Sequence, residues 1–559
     1  MTNKTTIAAL ICGAWAAMTP PANAQLIPPS ISPGAVQSGE RAQREEQRRE
    51  ELIQQAPQAP AVTTPATPAA SAASEVKNIR VERFQVDSSQ ILSASEIDSV
   101  LAPLRGQTVS LADLQAAVVQ INKLYDARRA LTARAFLPPQ TVRDGVVQIR
   151  LVESRTGRLQ VQGNQSLASD YVSERLTLSQ DSLMSIPTLE EDIARFNRLN
   201  ATQLRASVVA GEKFGTTDVQ ITMIEPPRNQ FQFYVDNAGR DTTGNARAGF
   251  SARSNNLAGL SDSAIFNGTV TEGSHSFGLS YSLPVTRNDL RLDLSASTGE
   301  IRIIDGPFQP LDITGKSQDA TIGLTQPLLT KLDRSWSTYA RFSARESVSR
   351  FGGVEQLNED LRILTFGLAG DRLGDRSSWY LDQFVSVGLT GLGGESDFLY
   401  YRMAGNRLDR VSDSFQLVTR ASLQLSDTEL LPSSELFQVG GAYTVRGFSE
   451  GLLSGRNGYY VSAELRYGQG TQAYFESGAD APRVQWLGFI DHGGAFPYRP
   501  GILKEVGSND FLTGVGAGVM FDWKTFSGRL VLAAPLDKNP AELHYAPWRA
   551  HAYFSITLP

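Results

Sequence analysis

The sequence predicts a mixed architecture: a leader, a short charged helix, two small α+β units and a transmembrane antiparallel β-barrel of about sixteen strands. Three observations carry this. The first residues form an apolar leader. Two stretches with the order strand, helix, helix, strand, strand follow one another between Val76 and Pro227. From there to the C-terminus apolar and polar residues alternate with a period of two.

Lys4 precedes an apolar run from Ile7 to Met18, and helix breakers then lead into Ala22-Asn23-Ala24, the pattern of a secretory signal peptide over 1–24 cut before Gln25. The single cysteine, Cys12, lies inside that run and follows Ile11 rather than the small residue of a lipoprotein signal. The mature chain therefore has no thiol for a disulfide or a cysteine-based metal site. Beyond the leader no window approaches the ~18 apolar residues that a spanning helix needs. A hydrophobic fraction of 41% with 48 glycines still suits a barrel, whose strands carry apolar residues only at every second position. The net charge of -6 provides no general footprint for nucleic acid.

In the N-terminal segment 25–55, Glu40-Arg41-Ala42-Gln43-Arg44-Glu45-Glu46-Gln47-Arg48-Arg49-Glu50-Glu51 mixes both signs at helical pair spacings and runs into Leu52-Ile53. It reads as a solvated or water-channel helix over 36–55, with a disordered charged tail as the alternative. Residues 56–75, dominated by Pro, Ala, Thr and Gln, form a semi-rigid linker. The first α+β unit, 76–154, has a strand from Ile79 to Val86, a capping box from Ser93 to Glu96, a second helix from Leu111 to Asp126, and strands from Leu131 to Phe136 and Val146 to Val152. The second, 155–227, opens with a strand from Arg158 to Val161. Helices from Asp170 to Leu176 and Thr188 to Leu199 follow, with Thr188 and Glu191 as a capping box, then strands from Leu204 to Ala210 and Asp218 to Met223.

From 228 to 559 the alternation is clear. Phe231, Phe233 and Val235 interleave with Gln230, Gln232 and Asp236, and Leu290, Leu292 and Leu294 with Arg291, Asp293 and Ser295. One face suits lipid and the other a wet lumen, and segments of this kind continue to a last one from Arg549 to Leu558. A soluble β-sandwich or propeller is the alternative, disfavoured by the leader and the strand number.

Among sites, Gly447-Phe448-Ser449-Glu450-Gly451 matches the serine-hydrolase pattern but lies amid β-segments rather than on a strand-to-helix turn, so it is not read as catalytic. The four histidines, His275, His492, His544 and His551, have no metal-ligand spacing, and no phosphate-binding loop is present. No catalytic residue, metal or cofactor is therefore expected, and anything the chain moves must move without its own ATP. The segment Val445-Arg446-Gly447-Phe448 stands apart. An arginine held in a narrow lumen needs an acidic partner, because an unpaired buried guanidinium costs several kcal/mol, and Asp491 in Phe489-Ile490-Asp491-His492-Gly493 is a candidate. Two unrelated exposed charges are the alternative.

These segments resemble the two-partner secretion transporters, the haemolysin-activator type of outer-membrane barrel, over nearly the whole mature chain. Leu137-Pro138-Pro139-Gln140, Asp144-Gly145-Val146 and Leu151-Val152-Glu153 look like the close of that family's first polypeptide-transport-associated (POTRA) domain. Gly211, Gly215-Thr216-Thr217-Asp218, Asp236-Asn237-Ala238-Gly239, Leu512 to Val519 and Ala533-Ala534-Pro535-Leu536 are likewise similar. Arg128-Arg129 departs from the family's Gly-aromatic pair, and the C-terminus, Tyr553 to Pro559, lacks the terminal aromatic of many outer-membrane barrels. That leaves Phe554 to carry the assembly signal, or a less efficient assembly.

The resemblance implies two periplasmic POTRA domains, a plug helix from the charged segment, and a lumen loop tipped by Val445 to Phe448. In it, Arg446 pairs with Asp491 on a lumen strand that also carries Phe489 and Gly493. It implies export of a large unfolded partner protein to the cell surface, with outer-membrane lipid and the barrel-assembly machinery as further partners. A monomer that binds no nucleic acid is expected. A barrel-assembly insertase and a passive porin are the alternatives.

Overall fold

The computed structural model describes residues 31–55, 62–63, 79–428, 430–468, 482–496, 508–542 and 544–559. The predicted leader, its Cys12, and most of the predicted linker lie outside the described residues.

The charged segment is a helix, α1 (Pro33–Gln54), longer at its start than predicted because Ser32 caps it, accepting from the Ala35 amide, and Pro33 suits the first turn. Val62–Thr63 of the linker form a short strand, β1.

The first unit holds β2 (Ile79–Arg80), β3 (Arg83–Val86), α2 (Ala94–Leu101), β4 (Thr108–Val109), α3 (Leu111–Ala127), β5 (Ala133–Phe136) and β6 (Val146–Glu153). The strand predicted from Ile79 to Val86 is broken in two. The Val81 amide donates to the Gln107 carbonyl and the Glu82 amide to the Gly145 carbonyl, so the chain turns between two partners. Its last-but-one strand starts at Ala133 rather than Leu131. Ser93 and Glu96 form the predicted capping box, and Ser110 with Asp113 forms a second one at the start of α3. Leu101, Ile121, Tyr125 and Ile149 close the core between the helices and a sheet of order β3-β6-β5.

In the second unit the elements are β7 (Arg155–Gln162), α4 (Ser169–Ser173), α5 (Ile186–Leu199), β8 (Gln203–Ala210) and β9 (Thr216–Ile224). Here Thr188 is not the cap. Ser185 takes that role, accepting from the Thr188 amide, and Pro187 in the first turn lets the helix begin at Ile186. The helix predicted to reach Leu176 stops at Ser173, where the chain tightens through bonds from Arg175 to Val172 and from Leu176 to Ser173. The sheet order is β1-β8-β9-β7, so the linker strand pairs in parallel along β8, Val62 beside Ala206 and Thr63 beside Ser207. Glu225, just after β9, accepts from the amides of Gln165, Ser166 and Leu167. Burial would raise its carboxyl, but the Ser166 hydroxyl and these amides outweigh it and hold it below its ordinary value. The stability it adds is present at neutral pH and lost on acidification through that depressed value.

Sixteen strands close the barrel. Ten of them are β10 (Asn229–Asp236), β11 (Arg247–Asn255), β12 (Ser263–Val270), β13 (Ser274–Pro284), β14 (Arg291–Arg302), β15 (Ile313–Thr330), β16 (Arg334–Phe351), β17 (Val354–Arg372), β18 (Ser377–Gly388) and β19 (Phe398–Arg410). After β20 (Phe415–Ser426) a long loop carries a small hairpin, β21 (Phe437–Val439) and β22 (Leu453–Gly455). β23 (Asn457–Gly468), β24 (Arg483–Phe496), β25 (Phe511–Trp523), β26 (Phe526–Pro535) and β27 (Arg549–Leu558) complete the wall. β27 pairs with β10, Phe554 opposite Val235, so closure leaves no strand edge in lipid. Phe231, Phe233, Val235, Phe277 and Leu279 point outward and are exposed, as the alternation requires.

The second unit is held to the near rim of the barrel by ion pairs. Asp289, in the turn between β13 and β14, lies 2.9 Å from both Arg175 and Arg195, while Arg198 reaches Asp371 and Arg287 reaches Glu174. The Ala168 amide also donates to the Gly259 carbonyl of the first near-rim turn. Arg128 and Arg129, which stand in place of the family's Gly-aromatic pair, bridge to Glu96 and to Glu190 of the second unit, with Arg129 at φ 56° in the left-handed region where glycine is unstrained. Asp289→Ala is expected to leave two guanidiniums without their partly buried carboxylate and to free the second unit, at a cost of about 3 kcal/mol. Spin labels at Lys213 and Lys331 would then give a broadened distance distribution, where the unsubstituted chain gives a narrow one.

Candidate functional site

The loop between β20 and β23 starts at the rim far from the two units and folds inward. Its tip is Val445-Arg446-Gly447-Phe448. Val445 and Phe448 are buried against Phe437, Val439, Tyr460, Ala495 and Leu512, an apolar cluster that seats the tip on the inner wall. Arg446 Nε lies 2.7 Å and Nη2 2.9 Å from the two carboxylate oxygens of Asp491, a bidentate pair, and the Arg446 amide donates to the same carboxylate at 3.1 Å. The guanidinium stacks on Phe489, its carbon 3.4 Å from the ring centroid. Gly493, two residues beyond Asp491 on β24, pairs with Tyr460 of β23. Gly447 has φ 98° and donates its amide to Nε2 of His551. Opposite the tip stands Gly514 of β25, where an added Cβ would come 2.0 Å from the Arg446 carbonyl oxygen. The missing side chain makes the close approach of loop and wall feasible.

The structure adds a carboxylate and three arginines that the sequence reading missed. Glu464 of β23, wholly buried, accepts from Arg446 Nη1 at 2.5 Å and also from Arg466 and Arg529 at 2.8 and 2.6 Å, with Arg420 at 3.6 Å. A signal was present: Glu464 and Arg466 are two apart on a strand whose other face carries Val461 and Leu465, which places both charges in the lumen.

Helix α1 fills the lumen beside this loop and runs from the far rim toward the near one. It has no apolar stripe, and the wall meets it with polar groups. Gln37 bonds Ser297 and Ser317, Ser276 donates to Glu40, Glu46 accepts from Asn406 and Tyr460, and Gln43 donates to Glu450 of the inward loop. At its lower end Ile53 packs on Leu408 and Val418, and Glu50 bonds Arg466 with Arg529 and Arg420 at 3.7 and 3.8 Å. The segment that could have been a disordered tail is a helix inside the lumen.

Ser449, of the rejected hydrolase pattern, lies between the carboxylates of Asp241 and Glu542 with Arg549 2.9 Å away. It ties the inward loop to two other far-rim loops. Its hydroxyl has no imidazole partner among the described residues, since His551 is bonded to Gly447.

The profile of the haemolysin secretion/activation proteins ShlB, FhaC and HecB matches residues 215–521, and that of the ShlB-type POTRA domain matches 79–154. The chain belongs to the ShlB/FhaC/HecB family. Members of that family are outer-membrane transporters that work with a secreted partner protein, and their POTRA domains are periplasmic. The chain is 24% identical over 483 residues to the heme/hemopexin transporter protein HuxB of Haemophilus influenzae (strain 86-028NP), spanning 81% of this chain and 82% of that one. It is 23% identical over 413 residues to the outer membrane transporter CdiB of Escherichia coli O6:K15:H31, spanning 69% and 68%. The solved structure of CdiB from Escherichia coli superposes with a TM-score of 0.68 over 94% of this chain and 99% of that one, at 20% identity. The near rim of this ShlB/FhaC/HecB barrel is thus the periplasmic one, and the inward loop descends from the cell surface.

Arg446→Ala is expected to strand Asp491 and remove one of the four cations around Glu464, weakening loop anchorage by about 3–5 kcal/mol. Gly514→Val is expected to act in the same direction by steric displacement. Both would expose the inward loop to protease in intact outer membranes while the barrel keeps its heat-modifiable migration on gels.

Proposed function

We infer that this transporter exports one large partner protein, delivered unfolded to the periplasmic POTRA domains and threaded through the barrel as an extended chain. The observation that carries the reading is the helix seated in the lumen on polar contacts alone along most of its length. Such contacts exchange for water at little net cost, so the plug is built to leave. The partner's N-terminal region adds a strand to a sheet edge, main-chain hydrogen bonds supplying affinity and side-chain pockets selectivity. The edge that suits this is β8 in the second unit, where the short β1 of the linker now lies. Linker and plug are one stretch of chain, so a partner strand that displaces β1 also loosens the tether of the plug. Folding of the emerged partner outside biases transport forward, and neither ATP nor catalysis is needed.

One chain supplies all sixteen strands of the closed wall, so a monomer suffices to form the pore, and the barrel-assembly machinery inserts it into outer-membrane lipid. Surface proteomics of cells with and without the chain tests export. Loss of one large surface or secreted protein is expected in the deletion and in Arg446→Ala. A joint fall of many outer-membrane proteins would point to an insertase, and no change to a porin. Val62→Pro removes an amide from β1 and crowds the pairing with Ala206. It is expected to tighten binding of the partner's N-terminal segment to the purified chain by about tenfold in calorimetry.

A further inference from the structure

Around the loop tip four guanidiniums, of Arg420, Arg446, Arg466 and Arg529, share three carboxylates, of Asp491, Glu464 and Glu50. Two of those carboxylates belong to the wall. The third is carried by the plug. Arg446 is satisfied from the wall by Asp491, but Arg420, Arg466 and Arg529 converge on one wall carboxylate, Glu464, which Arg446 also uses. Arg420, 2% exposed, is the least satisfied: both its ion-pair distances exceed 3.5 Å, and its Nε is buried with no hydrogen-bond partner among the described residues. Glu46 approaches the same place from the plug through Tyr460, beside Arg420. When the plug leaves, as the export reading on which this inference rests requires, Glu50 and Glu46 leave together. Four guanidiniums then stand over two carboxylates on the lumen wall.

We propose that this cluster is an anion-binding site of the open pore, which Glu50 occupies at rest and which side-chain carboxylates of the passing polypeptide occupy in its place. The chemistry selects the occupant. Three arginines from β20, β23 and β26 offer forked donors suited to carboxylate, and rings of arginine confer anion selectivity on pores. An acidic segment entering the barrel replaces Glu50 and keeps the resting ratio of three carboxylates to four guanidiniums, so the inward loop keeps its footing on Asp491 while the chain moves past. A passing segment without carboxylates leaves the excess positive charge uncompensated and moves the plug helix back toward its seat.

The test uses the purified full-length chain in planar bilayers across a KCl gradient. Open events of the unsubstituted chain should reverse on the anion-selective side. Glu50→Gln should raise their frequency by about tenfold while Glu50→Asp, which keeps the charge, leaves it near the unsubstituted value. Arg466→Gln with Arg529→Gln in the Glu50→Gln background should abolish the anion preference. An oligo-glutamate peptide added from the periplasmic side should block the open events at about tenfold lower concentration than an oligo-glutamine of equal length. Cation-selective events indifferent to the arginine substitutions, or a Glu50→Gln chain as silent as its parent, would overturn the proposal. Block by inorganic phosphate at the same concentration as the glutamate peptide would overturn the assignment to polypeptide carboxylates. A chain that exports its partner through non-selective events sinks this inference alone; anion-selective events in a chain whose deletion costs no surface protein keep the anion site and overturn the export reading together with its polypeptide occupant.

Discussion

The pairing of Arg446 with Asp491 and Glu464, fully removed from water, holds the loop tip on the barrel wall and with it the whole interior. Three charged side chains buried together are expensive to desolvate, and their attraction offsets that cost only while the geometry is kept. The surroundings serve that geometry. Phe489 supports the guanidinium from below, Gly514 leaves room for the Arg446 backbone, and Val445 and Phe448 dock on either side of the arginine so that water is excluded. A lock of this kind is stiff when complete and weak when one member is missing.

The lumen is wet and charged where a soluble core would be apolar. Helix α1 meets serines, asparagine, tyrosine and arginines. Apolar packing is confined to its ends, Ile31 against Ile303 and Ile313 and Ile53 against Leu408 and Val418. Because Glu50 joins the cluster that also binds the loop tip, plug and loop are energetically linked through Glu464 without touching one another there. The joint at Asp289 fixes the second unit against the rim of the barrel.

Alternation of apolar and polar residues, the order of elements in the two units and the capping box at Ser93 are local in origin, and local patterns can be read from sequence. So was the strand number, because closure demands that every alternating segment find neighbours on both sides. The capping box predicted at Thr188 failed for a local reason as well: Ser185 and Pro187 compete for the same helix start and win. The split of the first strand at Val81 was not legible, because the amides that break it find carbonyls of Gln107 and Gly145, remote in sequence. The same holds for β1, whose Pro- and Ala-rich surroundings describe a linker and whose partner is an edge far along the chain.

What the sequence determined by itself was the class of fold and the helical, water-facing character of the charged segment; the family resemblance added its place in the lumen and the pairing of Arg446 with Asp491. Tertiary structure alone decided that Glu464, Arg420, Arg466 and Arg529 join them and that Glu50 of the plug completes the set. The physical reason is that strand alternation tells which face a charge occupies but not which charge it meets across the lumen. That depends on the shear of a closed barrel and the depth to which a loop and a helix enter it.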